Sequence, residues 1–237
     1  MKKIDINCDV GEGINNEEFL LPYIQTCNIA CGGHAGDAES MQKIVMLGLE
    51  YHVKIGAHPS YPDKDNFGRL TLKIGDEQLI QSVQYQINML NSIVTNLGGE
   101  LHHIKPHGAL YNDIAKNKKL ALIFLTAIEK YKENTKLFVP YNSVIEKQAI
   151  KMGFSVIYEA FADRNYHDDL SLVNRKNSNA LLTDVVEILN HVNEIRHKGI
   201  VTSINGTKVR IKANTFCVHS DTENAIEIVK YLSENLA

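Results

Sequence analysis

The sequence predicts an α/β fold: a seven-stranded parallel β/α barrel of the TIM type, built as one domain over residues 1–237. Three observations lead there. Short β-branched stretches alternate with segments of helical periodicity seven times, and such serial units demand a parallel sheet wrapped by helices. Residues capable of chemistry follow nearly every strand, whereas a doubly wound open sheet would gather them at one switch point. The length of 237 residues also lies in the roughly 200 to 250 that such barrels use as a single unit.

The elements follow in order. The first strand is read at Lys3 to Asn7, then a glycine-rich turn and a short helix near Glu17 to Tyr23. The second, Thr26 to Ala30, leads to a helix that Asp37 caps, with Met41, Ile44, Val45 and Tyr51 on one face. The third, Val53 to Ala57, ends at His58-Pro59; Asp76 is read as the cap of a long helix that Gly98-Gly99 stops. The fourth runs from Leu101 to Lys105 with its helix between Ala115 and Tyr131, and the fifth is Lys136 to Val139. The sixth is Ser155 to Glu159, with a helix from Ala180 to His197. Ile200 to Ile204 and Lys208 to Ile211 flank Asn205-Gly206, a strong hairpin signal. The seventh barrel strand is Asn214 to Val218, and a helix carrying Ala225, Ile228, Val229 and Leu232 closes the chain.

Composition narrows the function. Lys+Arg 25 against Asp+Glu 28 gives a formal net charge of -3 without a basic block, which excludes a nucleic-acid or anionic-membrane partner. The N-terminal residues are too polar for a signal peptide, and no apolar run approaches a membrane span, so a cytoplasmic protein acting on a small molecule is expected. Cys27 and Cys31 bracket three residues, as zinc ligands can, but no second pair completes a site; the four cysteines read as reduced, buried hydrophobes.

The post-strand motifs carry the chemistry. They are Asp5-Ile6-Asn7-Cys8-Asp9-Val10-Gly11-Glu12, Asn28 to Asp37 with His34 inside it, Gly56 to Asp63 with His58 and Tyr61, and Lys105-Pro106-His107-Gly108-Ala109-Leu110-Tyr111-Asn112. Glu159 to Arg164 adds Asp163, and Cys217-Val218-His219-Ser220-Asp221 completes the set. Asp9 suits a general base or a metal ligand, and His34, His58 and His107 suit proton transfer or a divalent metal. Lys105 can stabilise an oxyanion, Arg164 can grip a carboxylate with its planar fork, and Asp163, His219 and Asp221 can orient those groups. An acidic residue that opens a helix is commonly a cap, so Glu12 and Asp37 are divided evenly between cap and site. His52, His191 and His197 lie on helices or at their ends and are expected to be solvated.

Four of these motifs are long: Asn28 to Asp37, Gly56 to Asp63, Lys105 to Asn112 and Glu159 to Arg164. Their order resembles that of the lactam-utilisation family, to which the A subunits of 5-oxoprolinase belong. The resemblance spans the chain from Asp5 to the final helix. It departs at Ser220, Leu70 and Ser178-Asn179, where the family usually has Gly, Arg and Pro-Gly. The resemblance implies a barrel related to those of glycoside hydrolases and polysaccharide deacetylases. It also implies ATP-dependent opening of 5-oxo-L-proline (pyroglutamate) to L-glutamate, carried out with the partner 5-oxoprolinase subunits B and C. On that basis Asp9, His58, Lys105, His107 and Asp163 are expected to be catalytic, and Asn7, Asn28, His34, Tyr61, Arg164, His219 and Asp221 to bind substrate. A divalent metal at the mouth would draw on Asp9, His34 and His58. ATP with Mg2+ enters only through the resemblance, because no Walker-type run is present, and its site is open between this chain and a partner. Two other classes remain: a self-sufficient metal-dependent deacetylase or amidohydrolase, and a non-catalytic protein that binds the lactam for its partners.

Overall fold

Residues 4–236 are described in the computed structural model; Lys3, where the first predicted strand begins, lies outside them. Seven parallel strands close into a barrel: β1 (Asp5–Val10), β2 (Thr26–Ala30), β3 (Lys54–His58), β4 (Leu101–Ile104), β5 (Lys136–Pro140), β6 (Val156–Phe161) and β9 (Thr215–Cys217). β9 pairs with both β1 and β6, which closes the ring. The Asn205-Gly206 hairpin joins β7 (Ile200–Thr202) to β8 (Lys208–Arg210), an antiparallel pair outside the barrel.

Alternation along β1 sets the interior. Ile6, Cys8 and Val10 lie at most 1% exposed on the helix-facing side, where burying each aliphatic side chain contributes about 1.5 to 3 kcal/mol. Asp5, Asn7 and Asp9 point the other way and fill the barrel with polar layers. Thr26 and Thr215 both donate to Asp5 Oδ1, at 2.7 and 2.8 Å. Above them Asn7 donates to Thr215 Oγ1 and Asn28 donates to Asn7 Oδ1, both at 2.8 Å. A barrel interior this polar is stable only because its members bond one another.

Helices, beginning with the short α1 (Glu17–Leu20), cover the outside, and local capping chemistry fixes the starts of several. Asp37 accepts from Ser40 N at 2.8 Å while Ser40 Oγ accepts from Asp37 N, a reciprocal cap at α2 (Ala38–Glu50) worth about 1 kcal/mol. That resolves Asp37 as a cap. α3 (Asp76–Asn96) is capped by Gly75 rather than by Asp76, which lies inside the first turn. The segment expected as one helix from Ala115 to Tyr131 is two, α4 (Gly108–Lys116) and α5 (Lys118–Ala127). Asn117 breaks it, since its extended backbone and its side chain accepting from Leu120 N start a new helix.

α6 (Val144–Lys151), which sequence periodicity does not reveal, follows Ser143, whose hydroxyl accepts from Glu146 N. α7 (Val185–Asn193) starts at Asp184, later than Ala180, because Asp184 accepts from two backbone amides. His191 is not solvated: its Nε2 meets Phe161 O at 3.2 Å, beside the Tyr166 ring. His52 and His197 are exposed. α8 (Ala225–Asn235) ends the described chain, and no described helix is long and apolar enough to cross a membrane.

Candidate active site

The site forms where β1 to β4, β6 and β9 end, so residues distant in sequence share one mouth. Lys105 immediately follows β4 and is 2% exposed. Its ammonium lies 2.7 Å from Asp9 Oδ1, 2.9 Å from Glu159 Oε1 and 3.1 Å from Cys217 Sγ. Burial opposes charge on this lysine, but Asp9 and its other neighbours outweigh it and hold the pKa well above the usual value. Asp9 is likewise pushed up by burial, and its neighbours His58 and Lys105 more than reverse that, keeping it well below its usual range.

Beside this pair stands a cluster of three imidazoles. His58 Nδ1 lies 2.7 Å from Lys105 O, and His107 Nε2 lies 3.0 Å from Phe67 O. A carbonyl can only accept, so both of those nitrogens carry hydrogen. In neutral rings the lone pairs are then on His58 Nε2 and His107 Nδ1, which face each other at 3.0 Å. Glu12 Oε1 stands 3.2 Å from His107 Nδ1 and 3.8 Å from His58 Nε2, and Asp9 Oδ2 is 3.4 Å from His58 Nε2. Burial favours the neutral ring in His107 and pushes His34 down to about 3. Burial raises Glu12, and its neighbours His107 and His34 bring it well below its usual range. The lone pairs of His58 Nε2 and His107 Nδ1 and the Glu12 carboxylate therefore converge on one point.

His34 completes the cluster, its Nε2 2.9 Å from Glu12 Oε1 and its ring stacked on His107 with centroids 3.6 Å apart. The possible cation ligands thus group as Glu12, His34, His58 and His107, while Asp9 groups with Cys217 and His219. Of the expected metal set, His34 and His58 fall in the first group, and Asp9 touches it through His58. Glu12, which the sequence leaves divided between cap and site, lies in that first group and opens no helix.

Across the mouth, His219 Nδ1 lies 3.0 Å from Asp163 Oδ1, its backbone amide donates to Asp163 Oδ2, and Thr222 Oγ1 donates there at 2.6 Å. Burial raises Asp163, but the His219 charge and these bonds prevail and hold it at about 2. A carboxylate lowered in the fold stabilises it above the unfolded pKa and loses that contribution as pH falls through the folded one. We expect Asp163→Asn to flatten the decline in stability between about pH 4 and 2, removing on the order of 2 kcal/mol, as read from urea midpoints across that range.

The remaining expected residues are placed as follows. Asn28 donates to Asp9 Oδ1 at 2.8 Å and meets buried His103 at 2.6 Å, so Asn7 and Asn28 lie beneath the cluster. Tyr61 is fully buried and donates to Asp113 at 2.9 Å, away from the cluster. Arg164 donates to Val173 O and its Nε has no hydrogen-bond partner among the described residues. Asp221 is held by Arg69 at 2.7 Å and Arg175 at 2.8 Å, tying three mouth loops together. Ser220 is not among the residues of positive φ, so a serine takes this loop conformation without strain.

The model of the LamB/YcsF family matches residues 4–237. The chain belongs to the LamB/YcsF family. Relatives of this LamB/YcsF chain include the 5-oxoprolinase A subunit of Haemophilus influenzae (strain PittEE), 39% identical over 236 residues that cover 100% of this chain and 96% of that one. The protein of the same name from Bacillus cereus (strain B4264) is 38% identical, covering 97% of this chain and 93% of that one. Among solved structures, the lactam utilization protein of Thermus thermophilus superposes with a TM-score of 0.91 at 31% identity, covering 98% of this chain and 95% of that one. The seven-stranded closed barrel is therefore the architecture of this LamB/YcsF relative as well.

Proposed function

We propose that this chain is the A subunit of an ATP-dependent 5-oxoprolinase, opening 5-oxo-L-proline to L-glutamate with partner subunits B and C. The names of the full-length relatives support the substrate. The observation that carries the chemistry is the convergence of Asp9 and the bare nitrogens of His58 and His107 beside a charged, buried Lys105. A lactam resists water, so hydrolysis needs an activated nucleophile, a stabilised oxyanion and a protonated leaving nitrogen. Asp9 draws the proton from water, and Lys105 supplies positive charge to the carbonyl oxygen. His219, held through Nδ1 by Asp163, offers its other nitrogen to the leaving amide, the arrangement by which a carboxylate orients a histidine.

ATP with Mg2+ is consumed by the complex, with its site either on this chain or on a partner. A cytoplasmic setting suits Cys8, Cys27, Cys31 and Cys217, which are buried free thiols.

The cluster of Glu12, His34, His58 and His107 fits a divalent cation, because two lone pairs 3.0 Å apart beside a carboxylate call for positive charge. When bound, such an ion polarises a carbonyl and acidifies water. Calorimetry with Mn2+ or Zn2+ is expected to show one saturable site, with affinity lowered at least tenfold in His107→Ala. Equal affinity in that variant would remove the cluster as the site. The reading as a hydrolase is tested by reconstitution: glutamate is expected only when ATP and all three subunits are combined. Amide hydrolysis by this chain alone, dependent on the cation, would instead mark a self-sufficient amidohydrolase.

A further inference from the structure

Beneath Asp9 runs a line of side chains that no step of lactam opening uses, and it begins at an irregularity in the barrel. Ile55 pairs with Leu101 and Gly56 with His103, so β4 has one more residue than β3 across that step, and His102 is the extra one. Bulges of this kind are rare between parallel strands, and they re-aim a side chain. Regular alternation would turn His102 and His103 to opposite faces of the sheet. Here their rings meet, with Nδ1 facing Nδ1 at 3.1 Å. His103 Nε2 reaches Asn28 Oδ1 at 2.6 Å, and Asn28 Nδ2 reaches Asp9 Oδ1 at 2.8 Å. At the far end, Lys136 Nζ stands 3.5 Å from His102 Nε2. The direction of every bond in this line is fixed. The Asp9 carboxylate and the Cys8 carbonyl, 3.3 Å from Asn28 Nδ2, only accept, so the nitrogen of Asn28 faces them and its oxygen faces His103. His103 therefore carries hydrogen on Nε2. Burial holds it neutral, its pKa well below the usual value, so its Nδ1 is bare and the hydrogen between the two rings belongs to His102. Burial and the charge of Lys136 bring His102 down to about 4, which leaves its Nε2 bare to accept from the Lys136 ammonium.

We infer that His103 is a positioning residue for Asp9, acting through Asn28, and that the bulge at His102 fixes the His103 tautomer this requires. Donors point one way, from an ammonium at the start of β5 to a carboxylate at the barrel mouth, and hydrogen bonds aligned in series strengthen one another. The effect falls on one oxygen of Asp9. Oδ1 accepts from Asn28 and Lys105, at 2.8 and 2.7 Å, which turns Oδ2 toward His58 Nε2 at 3.4 Å. The carboxylate thus keeps one oxygen held from below while the other faces the site. That Oδ2 takes a proton rests on the hydrolase reading; the bond directions do not.

Long-range proton–nitrogen spectra of the full chain labelled at histidine report which ring nitrogen carries hydrogen. They are expected to show it on Nε2 of His103 and on Nδ1 of His102, the signals being assigned by their loss in His103→Gln and His102→Asn. The opposite tautomer in either ring would overturn the inference. His103→Leu, which cannot donate, is expected to lower kcat for glutamate release by the reconstituted complex about 10- to 100-fold with KM changed less than about twofold, the scale of a misplaced reacting group. His103→Gln, whose amide can donate to Asn28, should recover most of that loss. Equal losses in the two variants, or a lowered melt with kcat unchanged, would show that the ring serves packing alone. Exchange of the Asn28 side-chain amide hydrogens should quicken about tenfold in the leucine variant and not in the glutamine one, the worth of one buried hydrogen bond. Because the tautomers are read in the parental chain, they decide the matter even where the leucine variant does not fold. Tautomers and exchange as expected, with no glutamate from the parental complex, reject the hydrolase and leave His103 positioning Asp9. Glutamate made at the parental rate by a complex carrying His103→Leu rejects the positioning and leaves the hydrolase.

Discussion

Asp9→Asn is expected to cut glutamate formation by the reconstituted complex on the order of 10²-fold or more while the barrel keeps its stability. The two halves of this expectation have different causes. Activity falls because the amide cannot take a proton, and no other described carboxylate lies as close to both His58 Nε2 and Lys105 Nζ as Asp9 does, at 3.4 and 2.7 Å. Stability holds because Lys105 lies between two carboxylates. Neutralising Asp9 leaves Lys105 and Glu159 as one cation and one anion at 2.9 Å, so no buried charge is stranded. Asparagine also keeps an oxygen that can accept from Asn28 and Lys105. The measurement is kcat for glutamate release beside a thermal melt. Unimpaired turnover would remove Asp9 from the mechanism, and a collapsed melt would show that Asp9 serves the fold instead.

That asymmetry is only partly legible in the sequence. The strand order and the barrel can be read, because apolar stretches and post-strand motifs repeat along the chain. His34, His58, His107 and Asp9 stand out because each sits at a strand end. Three things are obscured. Local pattern places Asp9 after the first strand and Asn7 at its end, yet both lie within β1, pointing inward. A polar residue inside a strand looks like a loop residue until the closed barrel supplies its partners. Glu12 opens no helix: its carboxylate meets three histidines from three other motifs, a convergence that no local pattern encodes. Glu159 and His103 escape notice for the same reason. Period-two spacing in β4 and β6 is the signal that could find them, since His103 and Lys105, like Glu159 and Phe161, alternate toward the interior. Conversely, Tyr61 and Asp221 occupy motif positions, but their polar atoms are engaged by Asp113 and by Arg69 and Arg175.

Gly56 shows how far the interior governs the chain, and its replacement should give the largest loss of stability. The sequence places Gly56 within the third strand, and it lies within β3. A Cβ built at Gly56 falls 2.1 Å from His103 Nε2 and 2.3 Å from its Cε1, far inside contact distance. The imidazole has nowhere to retreat. Its ring stacks on Phe138 with centroids 4.1 Å apart, and Nε2 is bonded to Asn28 Oδ1 at 2.6 Å. Asn28 is tied in turn to Asn7 and Asp9, so displacement runs straight into the site. Overpacking of this kind costs roughly 3 kcal/mol, which lowers the melting temperature by about 6 to 12 °C in a chain of this size. Gly56→Ala should therefore lose both stability and activity. A double variant with His103→Ala decides the cause, because the second change removes the atoms that clash. The double variant is expected to be markedly more stable than the sum of the two single losses, as coupled neighbours require. Strict additivity would place the damage in the β3 backbone rather than in the histidine.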